Sequence, residues 1–152
     1  MGRVTAQVTV NALASVAEEL WYDTSRWPTF VDGLAHVAKV EGDWPRAGRV
    51  LWDAKVGGRG RVDERVMAHE ARVGQTVSVE DEKILGTQRV AFVPTGDGCR
   101  ITLTLDYRLK LDAPRRQVID VFARRPLRDS LTRTLSRFAR ELEVAPDALV
   151  RE

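Results

Sequence analysis

Two side chains of this chain combine a protonatable group with an apolar neighbourhood, and they set the chemistry worth looking for: Glu64 and Tyr107. Glu64 shares strand parity with Val62, Val66 and Ala68, which turns a carboxyl toward the apolar side. Ionising an unpaired carboxyl there is costly, so its pKa rises. Such a group suits general-base work on an activated methylene, the step that an aldol-type ring closure needs. The competing reading places Glu64 near a strand end, reaching solvent or an arginine. Tyr107 alternates with Ile101, Leu103, Leu105 and Leu109 on one face of its strand, where a phenolic hydroxyl can donate to a ligand carbonyl or bond a buried backbone group. Arg89 is a candidate partner for Glu64, but Val90 and Phe92 oppose Ala91 and Val93 along its strand, so its direction stays open.

The aromatics form the second set. Trp27, Phe30, Trp44 and Trp52 are either ordinary core or the lining of a cavity for an apolar ligand. Trp52 alternates with Val50, Ala54 and Val56 and is expected to point inward, whereas Trp44, before Pro45, is expected to cover a hairpin. The candidate ligand contacts are therefore Trp27, Phe30, Trp52, Arg89, Tyr107 and, from the C-terminal helix, Phe122. Other chemistries find little support. His36 and His69 lie far apart without a carboxylate or cysteine at metal-ligand spacing, so no metal and no cofactor is expected, and His69 is read as an exposed strand residue. No serine sits in a nucleophile-elbow context. The run "GGRGR", Gly57 to Arg61, lacks the lysine and following helix of a phosphate cradle and is read as a flexible hairpin tip.

These residues need elements to hold them. Val4, Ala6, Val8 and Val10 alternate with polar residues and predict a first strand. Asn11 can cap a helix with Leu13, Val16, Ala17 and Leu20 on its apolar side, and Asp23 to Pro28 breaks that helix. Pro28 suits the first turn of a second short helix carrying Phe30, Val31 and Leu34. Turn residues then punctuate alternating runs, predicting strands near 35–41, 48–56, 61–70, 75–81, 87–94 and 99–109, which with the first make seven. After Asp112 and Pro114 comes a long amphipathic helix with Val118, Ile119, Phe122, Leu127, Leu131, Leu135, Phe138 and Leu142 on one side. Pro126 is expected to kink or split it, and Pro146 to end it. A sheet with one greasy face needs a cover, and this helix is the element long and apolar enough to provide it.

Composition bounds the rest. A chain of 152 residues with 43% hydrophobic content fits one domain, read here as 1–145 with a tail at 146–152. A charge of +2, left from 24 basic and 22 acidic residues, does not call for nucleic acid. The single Cys99 rules out an intrachain disulfide and fits a reducing, cytoplasmic setting. No secretory leader, membrane span or acylation signal is expected: "MGRVTAQVTV" lacks an apolar core, no run nears the roughly 20 apolar residues of a span, and Ala6 stands where myristoylation wants Ser or Thr.

The segment "ASVAEELWYDTSRWPTFVDGLAHVAKVEGDWPRAGRVLWDA" resembles the N-terminal half of the START-like (SRPBCC) superfamily of polyketide cyclases, dehydrases and lipid carriers. "CRITLTLDYRLKL" and "RRPLRDSLTRTLSRFARELE" are similar to that family's last strand and gripping helix. The resemblance implies an α+β helix-grip fold, with a curved seven-stranded antiparallel sheet around the long helix. It also implies a cavity between them that two short helices close at one end, with Trp27, Pro28 and Phe30 at its mouth. On that reading the partner is a hydrophobic small molecule of polyketide, lipid or isoprenoid type. One alternative is a cyclase or dehydrase in which Tyr107 or Glu64 moves protons on a bound poly-β-keto chain. Another is a protein-interaction module built on the arginine-rich helix. Read from its residues, with Asp120, Asp129, Glu141 and Glu143 offsetting part of the charge, that face is a solvated one or an anionic lipid contact. The family carries no universal catalytic triad to transfer, and the oligomeric state is open.

Overall fold

The computed structural model describes residues 2–151. Alternating burial makes the strands: β1 (Gly2–Val10), β2 (Leu34–Glu41), β3 (Arg49–Ala54), β4 (Arg61–Glu70), β5 (Gly74–Glu80), β6 (Ile84–Thr95) and β7 (Gly98–Leu109). They form one antiparallel sheet in the order β1-β7-β6-β5-β4-β3-β2. All links but one are hairpins between neighbours. The exception joins β1 to β2 across the whole sheet, and α1 (Ala14–Tyr22), a 3₁₀ turn (Thr24–Arg26) and the single-turn α2 (Trp27–Phe30) make that crossing. The long α3 (Ala113–Arg151) then lies along β1 and α2. The expected α+β helix-grip architecture is therefore present, with seven strands curving around the C-terminal helix.

The core is where the two layers meet. Val4, Val50, Val62, Val79, Ile101 and Leu103 from the sheet are buried, as are Leu131, Leu135, Phe138 and Leu142 from α3. Phe30 joins them: its ring stacks on Trp21 at 5.6 Å and meets Phe138 edge-on at 5.3 Å, tying α1, α2 and α3 into one aromatic cluster. The end of α1 is closed by indoles. Trp27 Nε1 donates to the Trp21 carbonyl (2.8 Å) and Trp44 Nε1 to the Tyr22 carbonyl (2.9 Å), so two carbonyls that a helix end leaves orphaned are satisfied by side chains from other elements. Trp44 thus fastens its hairpin to α1 rather than only covering it.

Several local expectations are corrected. α1 starts at Ala14 with Leu13 at its cap and no side-chain cap, not at Asn11. Its buried side is Ala17, Leu20 and Trp21, while Leu13 and Val16 are exposed. β3 stops at Ala54, so Val56 lies fully exposed in the following hairpin. A bulge between Val66 and Ala68 shifts the parity of β4, and His69 becomes half-buried with its ring edge-on to Tyr22 at 5.4 Å. Pro126 does not divide α3. It is exposed, and the carbonyl it deprives of a donor belongs to the exposed Phe122, where water can serve. Nor does Pro146 end the helix, which continues to Arg151.

Candidate functional site

Trp52 on β3 and Glu64 on β4 both point to the concave face, as parity predicts, and stand diagonally across the pair because Trp52 is in register with Val62 and Val50 with Glu64. Trp52 Nε1 donates to Glu64 Oε2 at 2.7 Å. Glu64 is buried, and burial pushes its pKa up; the Trp52 hydrogen bond and the Arg59 charge offset part of that rise. Arg59, in the β3–β4 hairpin, lies over the Trp52 ring at 5.4 Å. Its Nε donates to Asp81 Oδ2 at 2.6 Å, and Asp81, whose side chain is 0% exposed, also accepts from the backbone N–H groups of Lys83 and Ile84. The turn before β6 therefore holds Arg59 in place above the tryptophan.

Trp52, Glu64 and Arg59 line a cavity between the sheet and α3. Trp21, Trp27, Leu103 and Leu131 complete its apolar wall, and Gln88, Asp32, Ser130 and Thr134 its polar one. Its volume is about 40 Å³, room for a few water molecules and well short of the roughly 300 Å³ at which drug-sized pockets begin. A ready-made ligand chamber, as the resemblance implied, is not open here. The large rings of Trp21, Trp27 and Trp52 stand along its wall.

A polar knot closes the side facing the helix. Asp32, just after α2, accepts from Ser130 Oγ (2.7 Å), from Arg133 Nε and Nη2 (3.0 Å each) and from Arg137 Nη1 (3.1 Å). The Asp32 backbone N–H donates to Thr134 Oγ1 at 2.9 Å. Burial alone would raise the Asp32 carboxyl, but the hydrogen bonds from Arg133 and Ser130 and the two guanidinium charges outweigh it and hold its pKa below the usual range. Gly33 follows at φ +76°, a left-handed turn that glycine adopts without strain, and it lets the chain leave this knot for β2.

A family profile described as polyketide cyclase/dehydrase and lipid transport matches residues 1–143. The chain belongs to that family. No curated protein matches it in sequence. Among solved structures it is similar to TTHA0849 of Thermus thermophilus, with a TM-score of 0.80 and 17% identity over 95% of this chain and 99% of that one. It is also similar to the di-domain aromatase/cyclase StfQ of the steffimycin biosynthetic pathway, with a TM-score of 0.77 and 14% identity over 95% of this chain and 51% of that one. A START superfamily protein of Mycobacterium smegmatis gives a TM-score of 0.67 and 19% identity over 97% of this chain and 98% of that one. At these identities the structural likeness establishes the fold.

Within this polyketide cyclase/dehydrase and lipid-transport fold, the residues singled out from sequence separate. Trp27, Trp52 and Glu64 meet at the cavity. Phe30 lies beneath it as core, fully buried. Tyr107 faces inward but does not line the cavity: it pairs with Gly2 across β1 and β7, and its ring lies so close that a Cβ on Gly2 would fall 2.3 Å from it. Burial first, and the nearby Asp120 carboxylate second, raise the Tyr107 pKa. Among the described residues the hydroxyl has no hydrogen-bond partner. Arg89 is exposed on the convex face, because Gln88, Val90 and Phe92 share its strand and the even positions turn inward. It cannot pair with Glu64. Phe122 is 74% exposed and points away from the sheet, since the stripe that α3 buries runs through Leu127, Leu131, Leu135 and Phe138 instead.

Sequence reasoning missed Gln88, Arg59 and Asp32. Gln88, like Arg89, lies on a strand with apolar residues on both parities, so alternation did not report its facing. Arg59 and Asp32 lie in loops, where no periodicity reports direction.

Proposed function

We propose that the protein binds a hydrophobic small molecule between the concave sheet and α3, with Trp21, Trp27 and Trp52 as the apolar wall and Glu64 as the inward polar group. What carries this reading is a buried carboxyl facing a tryptophan-walled cavity, in a chain of a family described as acting on polyketides and lipids. Burial shifts the Glu64 carboxyl toward its protonated form, in which it can donate a hydrogen bond to a ligand carbonyl or hydroxyl. Since the cavity is about 40 Å³, admitting a ligand larger than a few water molecules requires its walls to move apart, with α3 and the Asp32 loop as the candidates.

The test is quenching of tryptophan fluorescence by 1-naphthol and by a fatty alcohol, together with native mass spectrometry of whatever apolar molecule copurifies. Saturable quenching is expected, tightened by Leu131→Ala, which enlarges the cavity, and weakened by Leu103→Trp, which fills it. Quenching that neither substitution alters, with no copurifying molecule, would sink the proposal.

One observation favours a second reading. A raised pKa at the cavity wall supports a role for Glu64 as general acid or base in cyclisation or dehydration of a bound poly-β-keto chain. Glu64→Gln should then keep ligand binding and lose turnover, whereas in a carrier it has no turnover to lose.

A further inference from the structure

α3 carries two apolar stripes on different sides. Leu127, Leu131, Leu135, Phe138 and Leu142 face the sheet. Val118, Val121 and Phe122, spaced i, i+3 and i+4, lie together on the opposite side and are 62%, 71% and 74% exposed, with Ile119 at 41% on their shoulder. Single exposed apolar residues are ordinary, but a contiguous group on one helix face is not. No other described part of the chain covers it.

The surroundings of the patch are basic. Arg115 precedes Val118 by one turn, Arg125 follows Phe122 by one turn, and both are exposed. At the start of α3, Arg108, Lys110, Arg115 and Arg116 line an open cleft of about 430 Å³. From Arg108 to Arg128 the chain has seven basic and two acidic residues, a net of +5. One of those acids, Asp120, is only 22% exposed and turned toward Tyr107 and Arg124. The patch is thus an apolar stripe within a cationic rim.

We propose that this face docks on an anionic lipid bilayer. Val118, Val121 and Phe122 enter the boundary between headgroups and acyl chains, and the arginines extend their stems along it to reach the phosphates. The sign of the charge decides the occupant: a second copy would bring like net charges face to face, whereas an anionic membrane offers the opposite sign over the whole rim. The inference is independent of whether the cavity holds a ligand.

Co-sedimentation of the full chain with phosphatidylcholine vesicles, with and without phosphatidylglycerol, tests it. The expected result is binding to the anionic vesicles alone, weakening as salt rises. Phe122→Ser should lower the partition coefficient roughly tenfold, and Arg115→Gln about fivefold. Both side chains are exposed, so the melting temperature of each variant should match the parent and loss of fold cannot mimic the effect. The proposal fails if anionic vesicles bind no better than neutral ones, if Phe122→Ser binds like the parent, or if the patch instead forms a concentration-dependent dimer that Phe122→Ser dissolves.

Discussion

Glu64 shows how one side chain couples stability to chemistry. Its carboxyl is held by a single indole donor and by the field of Arg59, which is too little to replace the water it has lost. Its folded pKa is raised above the unfolded value. The sign follows: below the ordinary glutamate range the group is neutral in both states, and as pH climbs through that range the unfolded chain ionises first, so folding loses stability until the raised folded pKa is passed. Glu64→Gln keeps an oxygen acceptor for Trp52 Nε1 and removes this loss. The difference in melting temperature between Glu64→Gln and the parent should therefore grow in favour of the variant from pH 4 to pH 7. A difference that stays flat across that window would show that Glu64 ionises normally in the folded protein.

Among the elements, α3 is held by two kinds of contact with different consequences. Leu135, Phe138 and Leu142 bury it against the sheet, which is the larger contribution and is non-directional. The Asp32 knot fixes its position at one point, joining the loop after α2 to Ser130, Arg133, Thr134 and Arg137. Asp32→Asn should cost about 1–2 kcal/mol, below the full value of a charged buried network because both arginines are partly in water. Since the Asp32 pKa is lowered on folding, its contribution is present above the ordinary aspartate range and fades as pH falls through the lowered folded value. Urea melts at pH 7 and at acid pH should show the gap between variant and parent closing as pH falls. If the knot also gates the cavity, Asp32→Asn should speed 1-naphthol association in stopped-flow quenching, and an unchanged rate would place the opening elsewhere.

For the molecule as a whole, the small cavity and the proposed ligand are reconciled only by a conformational change. A ligand that binds the opened but folded state stabilises it by mass action, about 2.7 kcal/mol at a free concentration one hundred times its dissociation constant. Saturating 1-naphthol should accordingly raise the melting temperature, and Leu103→Trp should abolish that rise. A fixed melting temperature across the titration would mean that the folded chain takes up nothing. α3 also separates two tasks along its length. Its second half fills the grip of the sheet, while its first half presents Val118, Val121 and Phe122 outward.

The sequence by itself determined the order of elements, the seven strands and the inward direction of Trp52 and Tyr107, while for Glu64 it left an inward and a solvent-facing reading open. Period-two alternation reports facing directly, and a sheet with one apolar face has few ways to be covered. It equally carried the resemblance to polyketide cyclases, dehydrases and lipid carriers, a membership that the family match over residues 1–143 shows. Only the tertiary structure decided which of those inward residues share a site. Facing inward does not fix depth along the sheet, so Tyr107, over Gly2 at the β1–β7 edge, and Glu64, beside Trp52, look alike in sequence and lie in different places. The facing of Phe122 was beyond reach for a related reason. A helix with apolar residues on two sides offers two stripes, and contact with the sheet chooses between them.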